Sequence, residues 1–169
     1  MIKYFYLVDF EYITNDNIET LNLGIFSTKQ KALNKINSSF YLPGFKNYGI
    51  ENFKTIKFGV DFDYNVIDKT NVILYCVSHE YVDANNGYFY WNIFDYFSTK
   101  KKAIEKVEYL KKHSRIGKKY PDNFDIIEIP VDNFNDWSEG FVELNKNELQ
   151  LLPLIEDTDP NLAKELYNK

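Results

Sequence analysis

A single cysteine, Cys76, excludes an intrachain disulfide, and nothing in the composition points to an oxidising compartment. With only two histidines, His79 and His113, a zinc site would need carboxylates for most of its ligands, so neither a metal nor a cofactor is expected. No run approaches the roughly 20 consecutive apolar residues of a membrane-spanning helix. The start, Met1-Ile2-Lys3-Tyr4-Phe5, enters a strand-like segment without the charged, apolar and cleavage regions of a signal peptide. The expectation is a soluble cytoplasmic protein with no membrane partner. Basic charge is short as well: a net charge of −5 and a pI near 5.1 disfavour nucleic acid as a partner, because neutralising phosphates takes a basic surface. A glycine-rich phosphate loop is absent.

Aromatic residues are abundant. They make up 18% of the 169 residues, with 14 Tyr and 14 Phe, against an ordinary hydrophobic fraction of 44%. Coding bias toward Lys, Asn, Ile and Tyr accounts for part of the excess, and Tyr and Phe are also common at protein interfaces, so both readings stay open.

The chain also repeats itself. Phe26-Ser27-Thr28-Lys29-Gln30-Lys31-Ala32 recurs as Phe97-Ser98-Thr99-Lys100-Lys101-Lys102-Ala103, an offset of 71 residues. The same offset, without a gap, carries Tyr4 onto Tyr75, Asn52-Phe53 onto Asn123-Phe124, Ile56 onto Ile127 and Val60-Asp61 onto Val131-Asp132. Two copies are too few for a solenoid, so this is one duplicated supersecondary unit. Residues 1–71 form the first repeat, 72–141 the second and 142–169 a C-terminal extension. A unit of about 70 residues is marginal alone, so the copies are expected to pack on each other.

In the first copy, Ile2–Ile13 is rich in aromatic and β-branched residues and reads as a strand. Thr14-Asn15-Asp16-Asn17 marks a turn, and Thr20–Phe26 is the returning strand, with Leu21, Leu23 and Ile25 alternating with polar or small residues. Ser27 or Thr28 caps a helix with Ala32, Leu33 and Ile36 on its apolar stripe, stopped before Leu42-Pro43-Gly44. Phe53–Phe62 is the third strand. The second copy matches: strand Val72–Val82, a turn ending in Asn86-Gly87, strand Tyr88–Phe97, a helix from Ser98 or Thr99 through Lys112, and strand Asp125–Val131. Ala103, Ile104, Val107 and Leu110 form the second stripe. Each copy is β-β-α-β, which gives an α+β fold of about six mostly antiparallel strands with helices on one face and pseudo-twofold packing. In the extension, Asp159-Pro160 caps and starts a short helix over Asn161–Tyr167.

Candidate chemistry is sparse. Cys76, His79 and Glu80 are close in sequence, but on a strand Cys76 shares a face with Glu80 and not with His79. The expectation is a buried thiol beside exposed polar residues. His113 lies among Lys111, Lys112 and Arg115 and suits a helix C-terminus. Asp61, Asp63, Asp132, Glu156, Asp157 and Asp159 offer carboxylates for acid/base work or Mg²⁺. At strand ends such charges more often protect sheet edges. The lysine runs 100–102, 111–112 and 118–119 read as a solvated outer face.

Leu42-Pro43-Gly44-Phe45, Tyr120-Pro121-Asp122-Asn123-Phe124 and Trp137-Ser138-Glu139-Gly140-Phe141, taken with the Phe-Ser-Thr-Lys helix starts, resemble a family of small uncharacterised bacterial β-β-α-β domains. That family carries a helix-ending Leu-Pro-Gly-Phe, a Tyr-Pro-x-x-Phe and a closing Trp-x-Glu-Gly-Phe. Here the signatures are split. Copy one has Val66-Ile67-Asp68 where the tryptophan pattern would fall, and copy two has His113-Ser114-Arg115-Ile116 in place of Leu-Pro-Gly-Phe. The resemblance brings no catalytic residue.

Small, acidic, aromatic-rich proteins of this kind resemble bacterial immunity proteins, which neutralise a toxin domain, often a basic nuclease. The resemblance implies a non-enzymatic monomer or homodimer whose partner is a cognate toxin, steered by charge and anchored by aromatics. The candidate binding residues are Glu80, Asp83, Tyr88, Tyr90, Asp95, Tyr96, Trp137 and Glu139. Unbroken alternation puts Phe89, Trp91, Ile93 and Phe97 on the core face and leaves Tyr88, Tyr90 and Tyr96 more exposed. The alternatives are an inhibitor of a defence system, and a ligand-binding or hydrolytic enzyme with a carboxylate site between the repeats.

Overall fold

The structure is a computed structural model that describes residues 1–14, 17–62, 71–82, 87, 89–133 and 137–141. The expected helix over 161–167 lies outside the described residues. Among the described residues six strands and three α-helices follow in order: β1 Ile2–Thr14, β2 Asn17–Phe26, α1 Lys29–Phe40, β3 Phe53–Asp61, β4 Ile73–Val82, β5 Phe89–Phe97, α2 Lys100–His113, α3 Arg115–Lys119 and β6 Phe124–Pro130. The strands form two three-stranded sheets, ordered β2-β1-β3 and β5-β4-β6. The fold is α+β, and each sheet belongs to one β-β-α-β copy.

Two compact units result. Of the described residues, the first holds 1–61, 71–72, 130–133 and 137–141, and the second holds Phe62 and 73–129. In the first, α1 lays Ala32 and Ile36 over Val8, Leu23 and Phe26, and Phe10, Phe45, Phe53 and Phe141 complete the core. In the second, Ala103, Val107 and Leu110 of α2 cover Val77, with Phe94, Phe97 and Phe124 around them. Leu33 and Ile104, expected in the helical stripes, are largely exposed. Each follows a buried alanine by one position, about 100° further round the helix, and so passes the edge of the stripe.

The copies keep the same local devices. Thr28 and Thr99 are the N-caps: Oγ1 of each accepts the backbone N–H three residues on, at 3.2 Å from Lys31 and 3.3 Å from Lys102. Asn52 Nδ2 donates to the Glu11 carbonyl at 2.7 Å, and Asn123 Nδ2 to the Glu80 carbonyl at 2.8 Å. Each amide clamps the chain entering a third strand to the C-terminal part of a first strand.

Strand register corrects the gapless offset. Tyr6 pairs with Phe26, and Tyr75 pairs with Phe97. Tyr75 therefore corresponds to Tyr6, an offset of 69, while the second strands keep 71. The stretch of sequence between matching paired residues is longer by that difference in the second hairpin. Tyr4, the apparent match to Tyr75, is 53% exposed, whereas Tyr6 and Tyr75 both pack on their cores.

Both hairpins carry a bulge at the same place. Val8 pairs with Gly24 and Asp9 with Asn22, which leaves Leu23 as the extra residue; Val77 pairs with Asp95 and Ser78 with Ile93, which leaves Phe94. One extra residue inverts the side-chain parity of everything beyond it. Counting back from the half-buried Phe97 in steps of two therefore assigns the wrong face to the rest of β5.

Candidate functional site

The bulge sets what the β4–β5 hairpin presents. Phe94 and Tyr90 turn to the helix side, while Trp91 and Ile93 turn away from it and are 50% and 44% exposed. This reverses the expected faces of Tyr90 and Trp91. Trp91 is the register partner of Glu80, which is also exposed, and the terminal strand residue Val82 is 56% exposed. A tryptophan across from a carboxylate, flanked by aliphatic groups, makes an amphipathic patch on a pleated surface.

Tyr90 is 9% exposed and belongs to a stack: its ring lies 5.0 Å from Tyr81, which lies 4.7 Å from Tyr120, both pairs nearly parallel. Tyr90 is a core residue, not a surface anchor. Tyr96 is half-buried. Asp95 is exposed, and one of its oxygens accepts the Tyr96 N–H at 2.9 Å. Asp83 and Tyr88 lie outside the described residues. Glu80, Asp95 and Tyr96 share the second unit, whereas Trp137 and Glu139 belong to the first. Trp91, a candidate anchor that strand alternation assigns to the core, is exposed instead. Its signal was Gly24 in copy one, a strand glycine with φ 117° beside the bulge, which the duplication carries across to β5.

Glu139 is exposed, but Trp137 is tethered: its indole N–H donates to the Asn22 carbonyl at 3.1 Å. Trp137 opens a segment that closes the first unit. Phe141 is 7% exposed, and its ring centroid lies 4.9 Å from Phe45, 5.0 Å from Tyr12 and 5.6 Å from Phe10. Its N–H donates to the Pro43 carbonyl at 3.0 Å. Gly44 and Gly140 have φ of 82° and 88° and pack where a Cβ would strike Phe141 and Pro43 respectively. The Leu-Pro-Gly-Phe of copy one and the Trp-x-Glu-Gly-Phe of copy two are thus two sides of one contact.

Asp132 anchors the same segment. It accepts the Ser27 N–H at 2.8 Å and hydroxyl at 2.6 Å, pairs with Lys31 at 2.7 Å, and donates its own N–H to Ile25 at 2.9 Å. Burial alone would raise its pKa, but the Lys31 and Ser27 contacts outweigh burial and hold the carboxyl below its usual value. A shallow cavity of about 460 Å³ beside it is lined by Lys31, Asn34, Lys35, Ser38 and Asn133.

The other candidates for chemistry are committed elsewhere. The Cys76 thiol is pushed up to about 11, by burial first and then by the Asp95 charge, so it is not a thiolate at neutral pH. His79 was expected among exposed polar residues but is fully buried. The Tyr120 carbonyl 2.8 Å from its Nε2 can only accept, which puts the proton on Nε2, and burial lowers the pKa of the ring. Asp61 pairs with the Met1 ammonium at 3.2 Å. Lys100 pairs with Glu128 and Lys111 with Glu108, as on a solvated helix face. Among the described residues no group of three or more His, Cys, Asp or Glu is placed to hold a metal ion, and no helix is long and apolar enough to cross a membrane. No protein-family model, curated protein or solved structure matches the chain.

Proposed function

We propose that the chain is a non-enzymatic binding protein of the immunity type, which neutralises a basic toxin domain by covering its active site. The observation that carries this reading is the exposed Trp91–Glu80 pair with Ile93 and Val82 beside it. A half-exposed tryptophan has apolar area to bury against a partner, and aromatic anchors dominate interface energies. The net charge of −5 favours rapid encounter with a basic surface.

The test is a pull-down against the product of the adjacent gene, followed by growth rescue on co-expression. Binding with rescue is expected, and Trp91→Ala should weaken binding by about 30-fold. Its melting temperature should stay at the wild-type value, because Trp91 lies outside both cores. A chain that neither binds nor protects sinks the immunity reading. Wild-type affinity in Trp91→Ala would remove the hairpin face from it.

A further inference from the structure

The segment that closes the first unit behaves as a ligand tied to its receptor by the chain. The receptor side comes from copy one: Phe10 and Tyr12 of β1, Asn22 of β2, and the Pro43-Gly44-Phe45 turn after α1. The bound side comes from copy two. It makes an aromatic plug, Phe141; a main-chain hydrogen bond to Pro43; an indole hydrogen bond to Asn22; and, upstream, the Asp132 anchor on Ser27 and Lys31. Two glycines at positive φ, one on each side, bring the backbones together closely enough to exclude any side chain at those positions. Shape, hydrogen bonding and steric exclusion thus all read the same five residues, as in a peptide-recognition groove.

Among the described residues the second unit shows no such arrangement. By register Tyr81 matches Tyr12, and beside Tyr90 the ring stacked on Tyr81 is Tyr120, which directly follows α3. Among the described residues the second unit thus places a local ring at this position, whereas the first uses a segment more than 90 residues beyond α1.

We propose that the surface formed by Phe10, Tyr12, Asn22, Pro43, Gly44 and Phe45 is a peptide-binding site for Trp-x-x-Gly-Phe segments, filled in cis by residues 137–141 and able to take the same segment from a second copy of this chain. Exchange between copies preserves every contact and adds only the cost of association, the usual route to a swapped dimer. In the intact chain the tethered segment competes at high effective concentration.

Full-length Phe141→Ala removes the plug and leaves the receptor side unchanged. A labelled peptide of residues 130–141 should bind this variant at least about tenfold more tightly than wild type, whose own segment holds the site. The same peptide with Gly140→Val should lose at least about tenfold in affinity, since its new side chain meets Pro43. If Phe141→Ala does not fold alone, the unmodified peptide should restore its near-ultraviolet circular dichroism. For exchange between copies, an equimolar mixture of Phe141→Ala and Gly44→Val chains should give a one-to-one dimer by native mass spectrometry. A folded Phe141→Ala that binds no better than wild type, an unfolded one that the peptide does not rescue, or equal binding of the Gly140→Val peptide would overturn the site. A mixture that stays monomeric would overturn exchange between copies.

Discussion

The two units place different residues at one structural position. Phe10 and His79 correspond through strand register, both are fully buried, and both lie against the phenylalanine that opens the third strand: Phe53 at 4.8 Å and Phe124 at 4.2 Å. Around Phe10 further aromatic rings gather, those of Tyr12, Phe45, Tyr48 and Phe141. Beside His79 a main-chain carbonyl, that of Tyr120, comes within 2.8 Å. A buried imidazole needs such an acceptor, and the second unit gains one because its chain turns through α3 immediately after α2. The first unit has Leu42-Pro43-Gly44-Phe45 instead and fills the space with Phe141. The closing element therefore decides what the strand beneath it can carry.

Exchanging these two residues breaks the comparison most severely. Phe10→His puts a polar ring among aromatics, and a cost of about 3 kcal/mol is expected from lost packing and an unpaired ring nitrogen. His79→Phe keeps the ring but takes from the Tyr120 carbonyl its shorter hydrogen bond and leaves it the Asn123 N–H at 3.4 Å, for a cost of about 1 kcal/mol at pH 7.5. The pH dependence separates the two further. Burial holds the pKa of His79 below 6.5 in the folded state, so the unfolded chain takes up the proton first and stability falls as pH drops through 6.5. Denaturant titrations from pH 7.5 to 5 should show this loss in wild type and a smaller one in His79→Phe. An unchanged acid slope would remove His79 as its source.

Most of this architecture was readable in advance, since turn formers, threonine caps and alternating apolar residues act locally. Five of the six strands and two of the three α-helices lie within about two residues of their expected bounds, and β2 starts three residues early, at Asn17 and not Thr20. The five-residue α3 was missed. It is set by Ser114, whose Oγ accepts the Gly117 N–H at 2.9 Å while donating to the Leu110 carbonyl at 2.8 Å. That arrangement exists only once α2 is formed. The candidate site was less legible because the bulge at Phe94 reverses parity, so the expected inward Trp91 is exposed and the expected outward Tyr90 is buried. The pairing of Leu-Pro-Gly-Phe with Trp-x-Glu-Gly-Phe was visible as two patterns, but not as one contact, because they are far apart in sequence.

A smaller effect is expected from the anchor of the closing segment. Asp132 and Asp61 occupy the same repeat position, yet Asp132 holds Ser27 and Lys31 while Asp61 pairs with the amino terminus. The folded pKa of Asp132 is depressed, so its contribution is present above the unfolded value of about 4 and is lost as pH falls through the folded value. Asp132→Ala should cost about 1 kcal/mol at pH 7, a figure reduced for the solvent reaching Lys31. The gap between wild type and variant should narrow in urea titrations as pH is lowered below about 4, and a gap that stays constant as pH falls would show the loss to be packing rather than charge.

The smallest effect runs in the opposite direction and lies at the bulge the copies share. Asp9 sits where the second copy has Ser78. Burial raises its pKa from 3.8 to about 6, with the Asn22 side-chain hydrogen bond opposing and the Glu11 charge assisting. Between those values the folded chain keeps a proton that the unfolded chain has released, so stability falls as pH rises from 3.8 to about 6 and stays reduced above it. Asp9→Asn removes the ionisation while its carbonyl can still accept from Asn22. A gain of up to about 1 kcal/mol is expected at pH 7.5, discounted because the carboxylate borders solvent, and no gain near pH 3.5. A gain of the same size at both pH values would point to packing instead of charge. A loss at pH 7.5 would mean that the charged carboxylate stabilises the bulge, and that Ser78 is the costlier of the two solutions.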